Sequence, residues 1–186
     1  MLKIDNITFS YGEKQILKDF SLNIKKGDKL WLFGESGCGK TTLLRLILGL
    51  ERPQTGKIIN LTDWKPSVVF QENRLLPFKT ALQNILLVNN DRQKAIDNLV
   101  ALGVGDTANT PVSELSGGME RRVAIARALT ADFDYLILDE PFTGLDNDNI
   151  ELAIKHILKV AQDRPIILVT HSANEAAFLG ATQIKL

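Results

Sequence analysis

The residues Gly34-Glu35-Ser36-Gly37-Cys38-Gly39-Lys40-Thr41 follow the spacing G-x-x-x-x-G-K-[ST]. Glycines so placed let the backbone turn tightly, and successive N–H groups can then point at phosphate oxygens. Lys40 brings a point charge to the β- and γ-phosphates, and the Thr41 hydroxyl faces Mg²⁺. Thr42 follows in the helix expected to start here, whose positive end favours the same anion. Cys38 is the only cysteine of the chain, which excludes an intramolecular disulfide and a Cys-based zinc site. Within this loop it reads as a small side chain that fits, in preference to a redox switch.

A site of this kind needs an acid at the C-terminal end of a neighbouring strand. Tyr135-Leu136-Ile137-Leu138-Asp139-Glu140 supplies two. Asp139 would hold Mg²⁺, directly or through water. Glu140, one residue on, could orient and deprotonate an attacking water. An Asp-Glu pair before Pro141 is by itself an ordinary turn, and the phosphate loop gives it meaning. Adjacent acids with separate tasks point to hydrolysis more than to binding alone.

These groups need a scaffold. Leu30-Trp31-Leu32-Phe33 is a short apolar run, as expected of a strand buried on both faces. Leu43-Leu44-Arg45-Leu46-Ile47-Leu48 reads as a buried helix stopped by Gly49. Apolar runs at 135–138 and 166–169 repeat the strand pattern, and Ile150, Ile154, Ile157, Leu158 and Ala161 give one helical face between them. Strand and helix in alternation predict an α/β fold with a mainly parallel sheet. Ahead of it, Leu2, Ile4 and residues 7–9 lead to a turn at Tyr11-Gly12, and Ile16, Phe20, Leu22 and Ile24 return, giving an antiparallel β part. Lys25-Lys26-Gly27-Asp28 is a solvated turn. Between Gln71 and Leu115 strand signals vanish: Ala95, Ile96, Leu99, Val100 and Leu102 predict one helix, and 81–88 another capped by Thr80. The expected organisation is one domain over 1–186, with a core of 1–71 and 130–186 and a helical insertion at about 72–129.

Composition removes whole classes of function. The 186 residues include 22 Lys+Arg against 22 Asp+Glu, and 45% are hydrophobic. Such a length suits one domain with a proper core. Zero net charge argues against a nucleic-acid partner or a direct hold on anionic lipid, so any membrane association must come through docking to another protein. No apolar run approaches the ~18 residues that span a bilayer. The start, Met1-Leu2-Lys3-Ile4-Asp5, lacks the apolar segment of a signal peptide, and a cytoplasmic location is expected.

Leu115-Ser116-Gly117-Gly118-Met119 narrows the reading. Ser116 can cap a helix running through Arg121, Val123 and Ile125 to Leu129, and the glycines let phosphate approach its N-terminus. A phosphate loop, this segment and Leu138-Asp139-Glu140-Pro141, in that order, resemble the ATP-binding cassette (ABC) ATPases over residues 11 to about 175. The resemblance implies a phosphate-loop NTPase core, ATP and Mg²⁺ as cofactors, and hydrolysis coupled to transport through separate transmembrane subunits. It further implies that Tyr11 stacks on adenine, and that Gln71, after Val68-Val69-Phe70, touches Mg²⁺ and the water. By the same resemblance His171 contacts the γ-phosphate, and Gly144-Leu145-Asp146 crosses between subunits. Two cassettes, either two copies or a paralogous pair, lie head to tail with each ATP between one Lys40 loop and the other Ser116 segment. A lone chain would then hold two half-sites. His156, off the apolar face of its helix, reads as an ordinary residue.

Residues 69–80, and Met119 in place of the commoner Gln, resemble the nitrate, sulfonate and taurine importer branch. The paired acids and Arg-Gly of the exporter motif are absent; Thr110-Pro111-Val112-Ser113-Glu114 stands in that place. An importer motor on the cytoplasmic face of the membrane is therefore expected. One competing class is a soluble cassette ATPase, which generally brings tandem cassettes or added domains. Another is a nucleotide-dependent binding module without turnover, against which Glu140, His171 and Gln71 count. Leu75-Leu76-Pro77-Phe78 forms either a docking surface for a membrane subunit or local core. The compact insertion and the close at Ile184-Lys185-Leu186 predict no regulatory domain and a reduced docking surface.

Overall fold

Alternation of buried and exposed residues shapes the first hairpin. Leu2, Ile4, Ile7 and Phe9 turn inward from β1 (Leu2–Tyr11), which pairs antiparallel with β2 (Lys14–Ile24) across a turn at Gly12. In chain order there follow β3 (Lys29–Phe33), α1 (Lys40–Ile47), β4 (Thr55–Ile59), β5 (Pro66–Val69), α2 (Ala81–Ile85) and α3 (Arg92–Ala101). Next come α4 (Gly117–Thr130), β6 (Tyr135–Asp139), α5 (Asn147–Ala161), β7 (Ile166–Val169), α6 (Ala173–Leu179) and β8 (Thr182–Lys185). The structure, a computed structural model, describes residues 1–59 and 63–186. Among the described residues the strands form two sheets, an antiparallel β2-β1-β4 and a parallel β5-β6-β7-β3-β8.

The parallel sheet is covered on both faces, which explains its uninterrupted apolar runs. Tyr135, Ile137, Ile167, Val169, Leu30 and Leu32 pack with α1 and the inner side of β1 and β2. Leu136, Leu138, Ile166, Leu168 and Trp31 face the other way, onto α4, α5 and α6. The buried Tyr135 hydroxyl donates to the carbonyl of Ile47 at 3.1 Å, satisfying an end carbonyl of α1. Burial pushes that phenol up to about 12. Phe33 departs from the expected fully buried strand: it is exposed and meets Trp31 edge-on.

The stretch between β5 and β6 is helical, with an isolated bridge between Thr80 and Pro111. Thr80 caps α2 in a capping box with Gln83. This helix stops at Ile85, short of the expected 81–88, and leaves Leu87 and Val88 exposed. Val100 also differs from expectation, lying outward on α3 while Ala95 and Leu99 are buried. The buried Asn84 accepts from the N–H of Leu76 at 2.7 Å and donates to the carbonyls of Leu76, Lys79 and Thr80. That clamp holds up a loop whose tip, Phe78, is 93% exposed. Leu75 alone of the four apolar residues packs against the core, so the local-core reading fails for Phe78 and Leu76. Strands β4 and β8, short and with mostly exposed residues, carry no sequence pattern that predicts them.

Candidate nucleotide site

The phosphate loop runs from the end of β3 into α1. Gly39 precedes the helix with φ of 109°, and a Cβ there would lie 2.8 Å from Ile16 Cγ2. Glycine is thus required both for the left-handed backbone and for the close approach of β2. Gly37, at φ of 83°, faces open space. Lys40 Nζ donates to the carbonyl oxygens of Gly34 and Glu35 at 2.7 and 3.0 Å, so its ammonium lies over the loop. Glu35, Ser36 and Thr41 are exposed, Cys38 is half-buried, and Thr42 is turned into the core. Cys38 Sγ stands 3.9 Å from Lys40 Nζ.

The acids emerge where β6 ends beside β7. Asp139 is held above the ordinary carboxylate range by burial, with Arg121, Lys40 and Arg74 acting in the opposite direction. Glu140 adopts φ of 47°, a left-handed conformation rare for a non-glycine residue. Its N–H donates to the carbonyl of Val169 at 2.9 Å. Burial raises its pKa, His171 opposes that, and the nearby Glu175 and Asp139 add to it. Glu140 Oε1 is buried without a hydrogen bond, and His171 Nε2 lies 3.4 Å away. The His171 turn is fixed by Thr170: its carbonyl accepts from Trp31 Nε1 at 3.0 Å, and its hydroxyl donates to Glu175. That hydroxyl also accepts from the N–H of Ser172 at 3.1 Å, and Ser172 caps α6.

Ser36, Gly37, Lys40, Thr41, Gln71, Asp139, Glu140 and His171 line a single cleft of about 390 Å³. Their donor set suits Mg-ATP. One carboxylate, a hydroxyl and an amide are hard oxygen ligands, which Mg²⁺ combines with phosphate oxygens and water rather than with an all-protein cage. The orphaned Glu140 oxygen fits a water awaiting proton removal.

The remaining predicted residues lie elsewhere. Tyr11 is exposed at the hairpin end, where its ring meets Phe9 edge-on at 4.9 Å. Ser116 caps α4 by accepting from the N–H of Met119 at 3.3 Å, and Gly117 begins the helix. Asp146 caps α5, accepting from the N–H of Asn149 at 2.8 Å, and these bonds hold its carboxyl below the usual range. Gly118 adjoins the turn before that cap, since a Cβ there would lie 3.2 Å from the carbonyl of Gly144. Arg122 bridges the two, donating to Asn149 Oδ1 at 2.9 Å. The Ser116 segment and the 144–146 loop therefore share one surface, and neither lines the phosphate-loop cleft.

Arg121 is a residue that sequence reasoning gave only as part of a helical run. It is 2% exposed, and its guanidinium reaches the carbonyls that flank both Glu140 and Gln71. The available signal was its place one turn before Ile125, on the buried face of α4. A charge on that face needs a polar purpose.

A parallel sheet bearing a glycine-rich phosphate loop after β3 and an acidic pair after β6, with an antiparallel sheet and a helical subdomain, defines an α/β phosphate-loop NTPase. The ABC transporter family profile matches residues 17–143. The chain is 40% identical to the aliphatic sulfonates import ATP-binding protein SsuB of Pectobacterium atrosepticum, covering 96% of this chain and 71% of that protein. It is 39% identical to the nitrate import ATP-binding protein NrtC of a Synechocystis species, covering 94% of this chain and 29% of that one. The structure of the ATP-binding cassette MJ0796, a dimer in a post-hydrolysis state with ADP and Pi, superposes with a TM-score of 0.84 at 30% identity, over 100% of this chain and 94% of that one. The chain belongs to the ABC transporter family and is a homologue of the sulfonate and nitrate importer ATPases. No helix among the described residues is long and apolar enough to cross a membrane.

Proposed function

We propose that the chain is the ATP-hydrolysing motor of an importer, a single cassette domain working on the cytoplasmic face of the membrane with separate transmembrane subunits. The observation that carries this reading is the cleft joining Lys40, Thr41, Gln71, Asp139 and His171 to a buried, unbonded oxygen of Glu140. Bound Mg-ATP supplies the phosphoanhydride and the metal charge. Lys40 and the loop N–H groups hold the phosphates, while Thr41, Asp139 and Gln71 offer the oxygens for Mg²⁺. Glu140 takes the proton from water and His171 fixes that carboxylate from the side. Ser116, Gly117, Gly118 and Asp146 act on the nucleotide of the partner cassette, be it a second copy or a paralogue, and Tyr11 stacks on adenine. What supports this division is their separation from the cleft. The exposed loop from Leu76 to Phe78 is the contact for the transmembrane subunit.

The test compares two variants. Lys40→Ala should weaken Mg-ATP binding, whereas Glu140→Gln should bind normally and lose turnover by roughly 10²-fold or more. With turnover blocked, Glu140→Gln should sediment as a dimer in Mg-ATP and as a monomer without it. Equal loss of binding in both variants, or no mass increase, would overturn the split-site reading.

A further inference from the structure

Arg121 has more acceptors than donors around it. Its Nε donates to the carbonyl of Pro141 at 2.8 Å. One terminal nitrogen donates to the carbonyls of Phe70 and Gln71 at 2.6 and 3.2 Å, and to Asn73 Oδ1 at 3.0 Å. The other donates to the carbonyl of Asp139 at 3.1 Å and to that of Glu140. Among the described residues no carboxylate lies within salt-bridge distance of it. A buried cation that serves only to fill space is outperformed by an apolar side chain of similar volume. Apart from Asn73 Oδ1, this one is spent on main-chain carbonyls of the two segments that deliver site residues.

Glu140 gives the arrangement its purpose. A non-glycine residue at positive φ persists only where its surroundings over-determine it. Here the Glu140 N–H is bound to Val169, and its carbonyl, with those of its two neighbours, is bound to Arg121. Both sides of the left-handed residue are tied. Relaxation to an ordinary conformation would swing the carboxylate away from His171 Nε2, now 3.4 Å off. We propose that Arg121 is a positioning residue for hydrolysis, fixing the backbone of Glu140 so that its carboxylate faces the cleft, and tying the Gln71 segment to the same point. The proposal rests on the reading of Glu140 as general base. A guanidinium stays charged in a protein interior, so the donors of Arg121 remain in place.

Lysine keeps the charge but has three donors on one nitrogen, where arginine presents five in a planar fork. Arg121→Lys should bind Mg-ATP within roughly threefold of wild type and lose kcat by roughly 10–10²-fold with KM little changed, as a displacement of about 1 Å can cause. In a Glu140→Gln background the same change should leave the residual rate unaltered, because no base remains to be aimed. A merely structural Arg121 would lower both backgrounds alike. Arg121→Gln, which retains amide donors, is the second variant should lysine not fold. Wild-type kcat in Arg121→Lys, with Glu140→Gln inactive, would sink the positioning role alone. An active Glu140→Gln would sink the base assignment beneath it. Failure of both Arg121 variants to fold would make the residue part of the folding core and end the proposal.

Discussion

Glu140 Oε1 and His171 Nε2 face each other at 3.4 Å across the C-terminal ends of neighbouring strands β6 and β7. Strand adjacency creates this pair, since the two residues are far apart in sequence and each strand ends at the cleft. The imidazole opposes the rise that burial imposes on the Glu140 pKa.

The pH dependence of turnover follows. A general base must be ionised, so activity should fall as pH drops through a Glu140 pKa lying above its ordinary 4.5. His171→Gln removes an opposing influence and should move the acid limb to higher pH. Stability runs the opposite way: with the folded pKa raised, Glu140 favours the folded state at low pH and disfavours it as pH rises through that value. Glu140→Gln should therefore melt above wild type at pH 8, by a margin that vanishes below about pH 4. Thermal melts at both pH values, beside a pH–rate profile, check this. An acid limb left in place by His171→Gln would break the electrostatic link.

Local pattern made much of this site legible. The phosphate loop, the apolar run ending in Asp139-Glu140 and the Ser116 cap are contiguous in sequence, and each appears where the pattern set it. Arg121 was not legible, because a charge on a helix ordinarily reads as solvated and all but one of its acceptors are main-chain carbonyls from residues 70–71 and 139–141. For Phe78, four apolar residues in a row carry no sign of which way the loop is held, and the deciding contact is Asn84. β4 and β8 went unread because exposed edge residues show no burial period.

Phe78→Glu tests the exposed loop. The side chain is 93% exposed, so folding free energy should stay within about 0.5 kcal/mol of wild type. Asn84→Ala, by contrast, leaves the Leu76 N–H without its partner and strips the carbonyls of Leu76, Lys79 and Thr80 of their second donor, and should cost about 1–3 kcal/mol. Copurification with native membranes should be lost in Phe78→Glu while soluble ATPase activity is kept. Retained membrane association in that variant would remove the loop from the docking surface.

His156 links helices that the sequence treats separately. Its Nε2 lies 2.7 Å from Asn98 Oδ1, Asn98 Nδ2 donates to Thr130 Oγ1 at 2.9 Å, and that hydroxyl donates to the carbonyl of Ala126 at 2.8 Å. The chain runs from α5 through α3 to α4. Donor directions require a proton on Nε2, and burial followed by Lys159 lowers the His156 pKa. The unfolded chain then takes up the proton first, so this contribution to stability is complete above pH 6.5 and is lost as pH falls from there toward the folded value. Urea unfolding between pH 7.5 and 5 should show that loss, and His156→Gln should abolish its own share of it. An unchanged slope in the variant would contradict the relay.

The last prediction separates the two ends of the Ser116–Met119 contact. Ser116 is exposed and caps α4, whereas Met119 is half-buried and packs against the core beneath the helices. Met119→Gln should shift apparent ATP affinity by no more than roughly tenfold, the worth of one neutral hydrogen bond at 0.5–1.5 kcal/mol. Ser116→Ala should cost about 1 kcal/mol of folding free energy through the lost cap. Ser116→Arg loses the same cap and adds bulk at the helix N-terminus, where the partner's γ-phosphate would lie. It should abolish turnover while ATP still binds the monomer through Lys40. Melting of Ser116→Ala and Ser116→Arg side by side removes the cap from the comparison, and steady-state rates decide the rest. If Ser116→Arg turns over normally while Met119→Gln does not, the phosphate meets the other end of this segment, and the split-site assignment of Ser116 is wrong.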